Sequence, residues 1–242
     1  ALEDAREANA MRDTFVRLVS HELRTPLNAA LTWVRLMEVD RSDETREKGV
    51  AVVAQSIESQ SRLIDDLVDV SRFASTGVRL EPERVNVRQL IEATIDELRP
   101  AIEASQRLSV TIGDGDYGAT IDPLRVQQIV RNLLSNATKY TPPDGRIDVE
   151  LASSGETVTL RVADTGKGLA EDQAERVFEP FWRAESHQPG LGVGLAIVAA
   201  LVSAHDGTID VHSDGPGKGT AFVVTLPRSA SLSSSAPLHE ES

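Results

Sequence analysis

The chain has 242 residues, which suits one or two domains on a prior of roughly 150 residues each. Hydrophobic residues make up 40% and aromatics only 4%, so the core must be built largely of Val, Leu, Ile and Ala. The net charge of -13 argues against nucleic acid or an anionic membrane as a general partner, and the absence of cysteine excludes disulfides and thiolate metal sites. No apolar run approaches the ~20 residues that cross a bilayer, and a reducing cytoplasm is the expected compartment. A phosphate ligand of so acidic a chain needs a local patch of N–H donors, Lys or Arg, or a bridging metal ion. Ala1 stands in mid-helical sequence, so a fragment is expected.

From Ala1 to about Val39 apolar residues recur at three- and four-residue steps, among them Met11, Phe15, Leu18, Leu23, Leu27, Leu31 and Val34. This predicts one long helix carrying Ser20-His21-Glu22-Leu23-Arg24-Thr25-Pro26-Leu27. Pro26 removes the N–H that would bond the Glu22 carbonyl, so a kink or loosened turn beside His21 is expected. The polar run Asp40-Arg41-Ser42-Asp43 breaks the pattern, with Ser42 or Asp43 as cap of a second helix. That helix carries Val50, Val53, Ile57, Ile64, Leu67 and Val68 and fades near Ser75-Thr76-Gly77. A short connection makes the helices antiparallel neighbours, each roughly 45 Å long. Alone they cannot bury both stripes, whereas two such hairpins form a four-helix bundle; a homodimer is expected.

Arg79 to Val85 reads as an extended linker. Asn86 followed by Gln89 resembles a capping box opening a helix through Leu98, with Pro100 expected to kink or end it. Leu108 to Ile112 alternates as a strand, and Gly113 to Gly118 turns. Asp122-Pro123 is an N-cap with proline at the first helical position. The helix that follows buries Val126, Ile129, Val130, Leu133, Leu134 and Ala137, and sets Gln128, Asn132, Asn136 and Lys139 mainly on its other face. Thr141-Pro142-Pro143-Asp144-Gly145 stops it. Strands are expected at Arg146 to Leu151, Thr157 to Ala163, Thr208 to His212 and Thr220 to Leu226. Such an order predicts an α/β sandwich, a mixed sheet with helices on one face. A Ser-rich tail beyond Pro227 is expected to be disordered.

Several clusters carry chemistry. Asn136 offers an amide oxygen suited to Mg²⁺, Asn132 lies one turn earlier, and Lys139 adds a point charge suited to phosphate. Asp164-Thr165-Gly166-Lys167-Gly168 ends a strand. Its carboxylate can accept a hydrogen bond from an exocyclic amine while Gly166 and Gly168 let backbone approach a base, which favours adenine over guanine. Gly190-Leu191-Gly192-Val193-Gly194 runs into an apolar helix, where free N–H groups and the helix dipole favour an anion. This is neither the dinucleotide fingerprint nor a P-loop. A nucleotide site together with a helical His21 suggests phosphoryl transfer onto nitrogen.

Over roughly residues 10 to 227 the chain resembles the sensor histidine kinases of two-component signalling. Ser20 to Leu27 matches the family's H box, Asn132 to Tyr140 is similar to its N box, and Asp164 to Gly168 to its first glycine box. Phe178-Glu179-Pro180-Phe181-Trp182-Arg183 resembles the F box, Gly190 to Gly194 the second glycine box, and Gly217-Lys218-Gly219-Thr220 the terminal Gly-x-Gly-Thr. The resemblance implies a dimerisation and phosphotransfer hairpin over 1–76, a linker over 77–85, a Bergerat-type ATP-binding domain over 86–228 and a tail over 229–242. It makes His21 the phosphorylated residue, Glu22 its acid/base neighbour, Asn136 the Mg²⁺ ligand and Asp164 the adenine anchor. Tyr140 would pack beside the base, with Lys139 and Arg183 near phosphate. Thr25 matches the position such kinases use to dephosphorylate their partner. The implied partner is the aspartate of a receiver domain, which follows in hybrid kinases, and no upstream sensor domain is expected in this fragment. One departure is a short lid, Ala184 to Pro189. The competing reading is an ATPase clamp of the same fold, on which no phosphoryl group stays.

Overall fold

The computed structural model describes residues 2–184 and 190–228, which form two compact units. Of the described residues, one unit comprises 2–77, 177–184 and 190–197, and the other 78–176 and 198–228. The expected tail, 229–242, and most of the short lid, 185–189, lie outside the described residues.

In the first unit α1 (Leu2–Val39) and α2 (Asp43–Thr76) form the expected hairpin. Ser42 caps α2, its hydroxyl accepting the Thr45 N–H at 3.3 Å. α1 is continuous through Pro26. Within the hairpin, Gln60 Nε2 donates to the Leu23 carbonyl at 3.2 Å, a tie between the two helices at the residue after Glu22. Leu27, Leu31, Ile57 and Ile64 remain exposed along the hairpin, at 56%, 47%, 58% and 52% of their full areas.

The second unit is an α/β layer. β1 (Glu83–Asn86) leads into α3 (Val87–Glu103), then β2 (Arg107–Ile112), β3 (Gly118–Ile121) and α4 (Pro123–Tyr140). β4 (Arg146–Ser154) and β5 (Thr157–Asp164) follow, then the short α5 (Glu171–Ala174), α6 (Gly194–Ala204), β6 (Thr208–His212) and β7 (Thr220–Pro227). The main sheet has the order β2-β4-β5-β7-β6, with β2 parallel to β4 and the other pairs antiparallel. Alternation puts Ile147, Val149 and Leu151 of β4, Val158, Leu160 and Val162 of β5, and Phe222, Val224 and Leu226 of β7 on one buried face. The register stacks them in rows: Val149 faces Val162, which faces Phe222, and Leu151 faces Leu160, which faces Val224. α3 and α4 pack against each other, and against β2 and β5 respectively. The outward positions are polar and carry ion pairs, Arg146 with Asp148 and Arg161 with Glu150, both at 2.8 Å.

Two differences from the sequence expectation have simple causes. Pro100 does not end α3, which continues to Glu103: only the bond to the Asp96 carbonyl is lost, and Ile102, 3% exposed, anchors the final turn. β3 pairs antiparallel with β1 in a separate two-stranded ribbon; its run Gly118-Ala119-Thr120-Ile121 is too short and too small-sided to register as a strand. The ribbon is stapled by Arg228. That guanidinium donates to the Gly118 carbonyl at 2.9 Å and the Gly155 carbonyl at 3.2 Å, and pairs with the Asp116 carboxylate. The backbone of Arg228 also bonds Glu156 at 2.7 Å and Thr120 at 2.8 Å.

Candidate functional site

His21 stands on α1 with its side chain 76% exposed, while the neighbouring Glu22 side chain is only 8% exposed. Adjacent helical residues point about 100° apart, which is how one becomes an open imidazole and the other a buried acid. His21 Nδ1 lies 3.5 Å from Glu22 Oε1, leaving Nε2 as the ring nitrogen not aimed at the acid. Thr25, one turn on, is exposed and donates its hydroxyl to the His21 carbonyl at 3.1 Å.

The Glu22 carboxylate has further partners in the same unit. Its Oε2 accepts the Gly190 N–H at 2.6 Å, and Arg183 Nη1 lies 3.5 Å from Oε1. Arg183 is itself 12% exposed. The turn that delivers it is tightly braced: Phe181 takes a positive φ of 67°, rare for a bulky residue, and donates its N–H to the Gly192 carbonyl at 2.9 Å. Gly192 is left-handed at φ 71°, and a Cβ there would sit 2.6 Å from the Trp182 carbonyl oxygen. Only glycine fits. Leu191 and Val193 are buried on either side, and Gly194 opens α6.

In the second unit α4 is positioned by the Asp122 cap, whose Oδ1 accepts the Arg125 N–H at 3.1 Å and Oδ2 the Glu81 N–H at 2.9 Å. Fully buried His205 completes this joint: Nδ1–H donates to the Leu201 carbonyl at 2.8 Å, and Nε2 accepts the Asp122 N–H at 3.2 Å. On the far side of α4 Asn132 and Asn136 are half-buried and Lys139 is exposed. Asn132 Nδ2 is buried with no hydrogen-bond partner among the described residues. The Lys139 ammonium lies 4.9 Å from the centroid of the Tyr140 ring.

Asp164 ends β5 opposite Thr220, and the two glycines after it are locked in place. The Gly166 N–H donates to Asp164 Oδ1 at 2.7 Å, and Lys167 N–H to the Tyr140 carbonyl at 3.2 Å. A Cβ on Gly166 would run into that same carbonyl and lie 2.6 Å from Asp164 Oδ1. Gly168, at φ 65°, and Gly219, at φ 77°, are pressed equally hard against backbone, Gly219 against Asp164 itself. Burial pushes the Asp164 carboxyl above its ordinary value, against the pull of the N–H groups of Gly166 and Thr220. Tyr140, Asp164, Gly166, Gly168 and Thr220 thus meet at one end of the sheet.

Among the described residues no group of His, Cys, Asp and Glu could hold a metal ion by itself. Sequence reasoning singled out His21, Glu22, Asn136 and Asp164, and the structure places the first two on α1, Asn136 on α4 and Asp164 at the end of β5. It missed the Glu22–Gly190–Arg183 cluster, whose members are 161 and 168 residues apart, and the His205–Asp122 joint. Only the burial demanded of a lone histidine in an apolar helix end hinted at the latter.

Two family models match successive stretches of the chain. The His Kinase A (phospho-acceptor) domain model matches residues 11–76, and the histidine kinase-, DNA gyrase B-, and HSP90-like ATPase model matches 121–230. Sensor histidine kinase AtsR of Burkholderia thailandensis is 34% identical over 245 residues, covering 98% of this chain and 40% of its own length. The solved mycobacterial sensor histidine kinase MprB is 30% identical with a TM-score of 0.55, over 62% of this chain and 100% of that one. Full-length ShkA in complex with AMPPNP is 28% identical with a TM-score of 0.66, over 90% of this chain and 46% of that one. The chain spans only part of its curated relatives, 24% of the length of sensor histidine kinase RcsC of Escherichia coli and 61% of that of the adaptive-response sensory kinase SasA of Synechococcus elongatus. With the phospho-acceptor match on the hairpin that carries His21 and the ATPase match on the sheet unit that carries Asp164, the chain belongs to the sensor histidine kinase family.

Proposed function

We propose that this chain is the catalytic core of an ATP-dependent protein histidine kinase that phosphorylates His21 and passes the phosphoryl group to an aspartate of a receiver domain. The observation that carries this reading is the exposed His21 imidazole beside a buried carboxylate, within the segment matched by the phospho-acceptor model. The domain division proposed is a phosphotransfer hairpin over 1–76, a linker over 77–85 and an ATP-binding domain over 86–228. The AMPPNP bound by ShkA supports a nucleoside triphosphate as donor.

Adenine recognition is assigned to Asp164, which accepts from the exocyclic amine, with Gly166 and Gly168 giving room, Tyr140 packing beside the base and Thr220 holding the aspartate. Asn132, Asn136, Lys139, Arg183 and the N–H groups of Gly190, Gly192 and Gly194 are assigned to the phosphates. Mg²⁺, held by Asn136, would neutralise phosphate charge. In the transfer step His21 Nε2 attacks the γ-phosphorus in line, a P–N bond forms, the bond to the β-phosphate oxygen breaks, and ADP leaves. Positive charge grows on the ring, and Glu22, on the Nδ1 side, stabilises or accepts that proton.

Thr25 is assigned to orienting a water that hydrolyses the aspartyl phosphate of a phosphorylated receiver, releasing inorganic phosphate. The exposed stripe of Leu27, Leu31, Ile57 and Ile64 supports burial against a second copy in a four-helix bundle. No helix among the described residues is long and apolar enough to cross a membrane, and a cytoplasmic setting fits the ATP and receiver proposed. The phospho-acceptor match over 11–76 favours this reading over an ATPase clamp. The test is incubation with γ-labelled ATP. Acid-labile, base-stable label is expected on the wild type and none on His21→Gln, with ATP binding retained. Label on that variant would refute the assignment.

A further inference from the structure

The Glu22 carboxylate and a nucleotide phosphate lay claim to the same donors. Oε2 holds the Gly190 N–H in a short charge-assisted bond of 2.6 Å, while Oε1 stands 3.5 Å from both Arg183 Nη1 and His21 Nδ1. Gly190 heads the glycine turn into α6, and Arg183 is the cation beside it. An acid only 8% exposed needs compensation, and these donors supply it. The single Gly190 N–H, held 2.6 Å from a carboxylate oxygen, is not at the same time open to a phosphate oxygen.

We infer that Glu22 is a built-in competitor of the nucleotide: its carboxylate occupies the Gly190–Arg183 cradle, and the terminal phosphate binds by taking that cradle from it. The inference rests on the preceding reading that Arg183 and Gly190 serve phosphate. The exchange has a chemical consequence. Once Gly190 and Arg183 turn to phosphate, the Glu22 carboxyl still has His21 Nδ1 beside it, 3.5 Å from Oε1. Arrival of the triphosphate therefore redirects Glu22 to the Nδ1 proton, leaving Nε2 as the attacking atom. The acid is committed to the imidazole only when there is phosphate to transfer.

The experiment is titration calorimetry of the intact chain with a non-hydrolysable ATP analogue and Mg²⁺, compared across wild type, Glu22→Gln and Glu22→Asp. If Glu22 holds the cradle about nine-tenths of the time, removing it tightens apparent affinity about tenfold. Glu22→Asp keeps the charge but is one methylene short of Gly190, so it too binds more tightly; simple repulsion by a nearby charge predicts no gain for Asp. In an Arg183→Ala background the gain from Glu22→Gln shrinks, because the two share one cradle. Without nucleotide, exchange of the Gly190 amide proton accelerates in both Glu22 variants, a readout independent of turnover. Equal or weaker binding by the Glu22 variants, with normal binding by the wild type, overturns the competition and leaves the kinase reading standing. Failure of every form to bind the analogue overturns the nucleotide reading and this inference with it.

Discussion

Two glycines in one turn allow the close approach at Asp164 to be measured apart from backbone conformation. Gly217 and Gly219 are both left-handed, at φ 76° and 77°. Nothing lies within 4 Å of a Cβ added at Gly217, whereas one at Gly219 would overlap the Asp164 carbonyl oxygen and lie 3.0 Å from its carbon and 3.1 Å from Thr165 Cα. Gly217→Ala should therefore lose only the left-handed penalty of an L-residue, about 1–2 kcal/mol. Gly219→Ala adds overpacking against immobile backbone, a further ~1–3 kcal/mol, for a total near 4 kcal/mol. At ~2–4 °C per kcal/mol for a chain of this size, calorimetry should place the sheet-unit transition a few degrees down for Gly217→Ala and on the order of 12 °C down for Gly219→Ala. The Gly219 variant should also lose nucleotide affinity, since the backbone that must yield is that of the proposed adenine anchor. Equal destabilisation of the two variants, to within about 0.5 kcal/mol, would refute the claim that Gly219 is required by proximity.

Other consequences can be checked as directly. Burial, with the charges of Asp69 and Asp65 adding to it, pushes the Asp66 carboxyl from 3.8 up to about 6, so the folded hairpin binds the proton more tightly than the unfolded chain. Its contribution to stability is complete below pH 3.8 and is lost as pH rises through about 6; Asp66→Asn should stabilise the hairpin at pH 8, by at most ~3 kcal/mol, and hardly at all at pH 3.5, as read by denaturant melts. His205→Leu strands the Asp122 N–H and the Leu201 carbonyl contact, and should lower sheet-unit stability by about 1–3 kcal/mol in urea titrations; a neutral result would remove His205 from the α4 joint. Asn136→Asp should impair use of Mg-nucleotide in labelling assays while leaving the melting temperature within a few degrees, and normal turnover would remove the proposed metal role.

The helices were legible because their signals are local. Ser42, Asn86 and Asp122 cap helices within a residue or so of the places their side-chain chemistry predicts, and the stripe from Val126 to Ala137 is buried as the periodicity requires. β4, β5, β6 and β7 were legible from alternation and Gly-rich turns. β3 was not, since a four-residue strand is defined by its partner β1 rather than by its own pattern. At the proposed site, chemical type and motif picked out His21, Asp164 and Asn136 as candidates. Their environments could not be read that way. Nothing local to Glu22 announces that it is buried or that it meets Gly190, because that bond closes a loop of 168 residues.

Arg228 bears on how this domain can be trimmed. A single side chain at the end of β7 reaches the Asp116–Gly118 segment and the β4–β5 turn at Gly155, while its main chain bonds Glu156 and Thr120. Cutting after Pro227 would discard that whole set of attachments at once and leave the outer ribbon to fray, even though no core residue is touched. Versions made for crystallisation or ligand screening should stop past position 228, and a fusion partner joined ahead of it would be grafted onto a frayed edge.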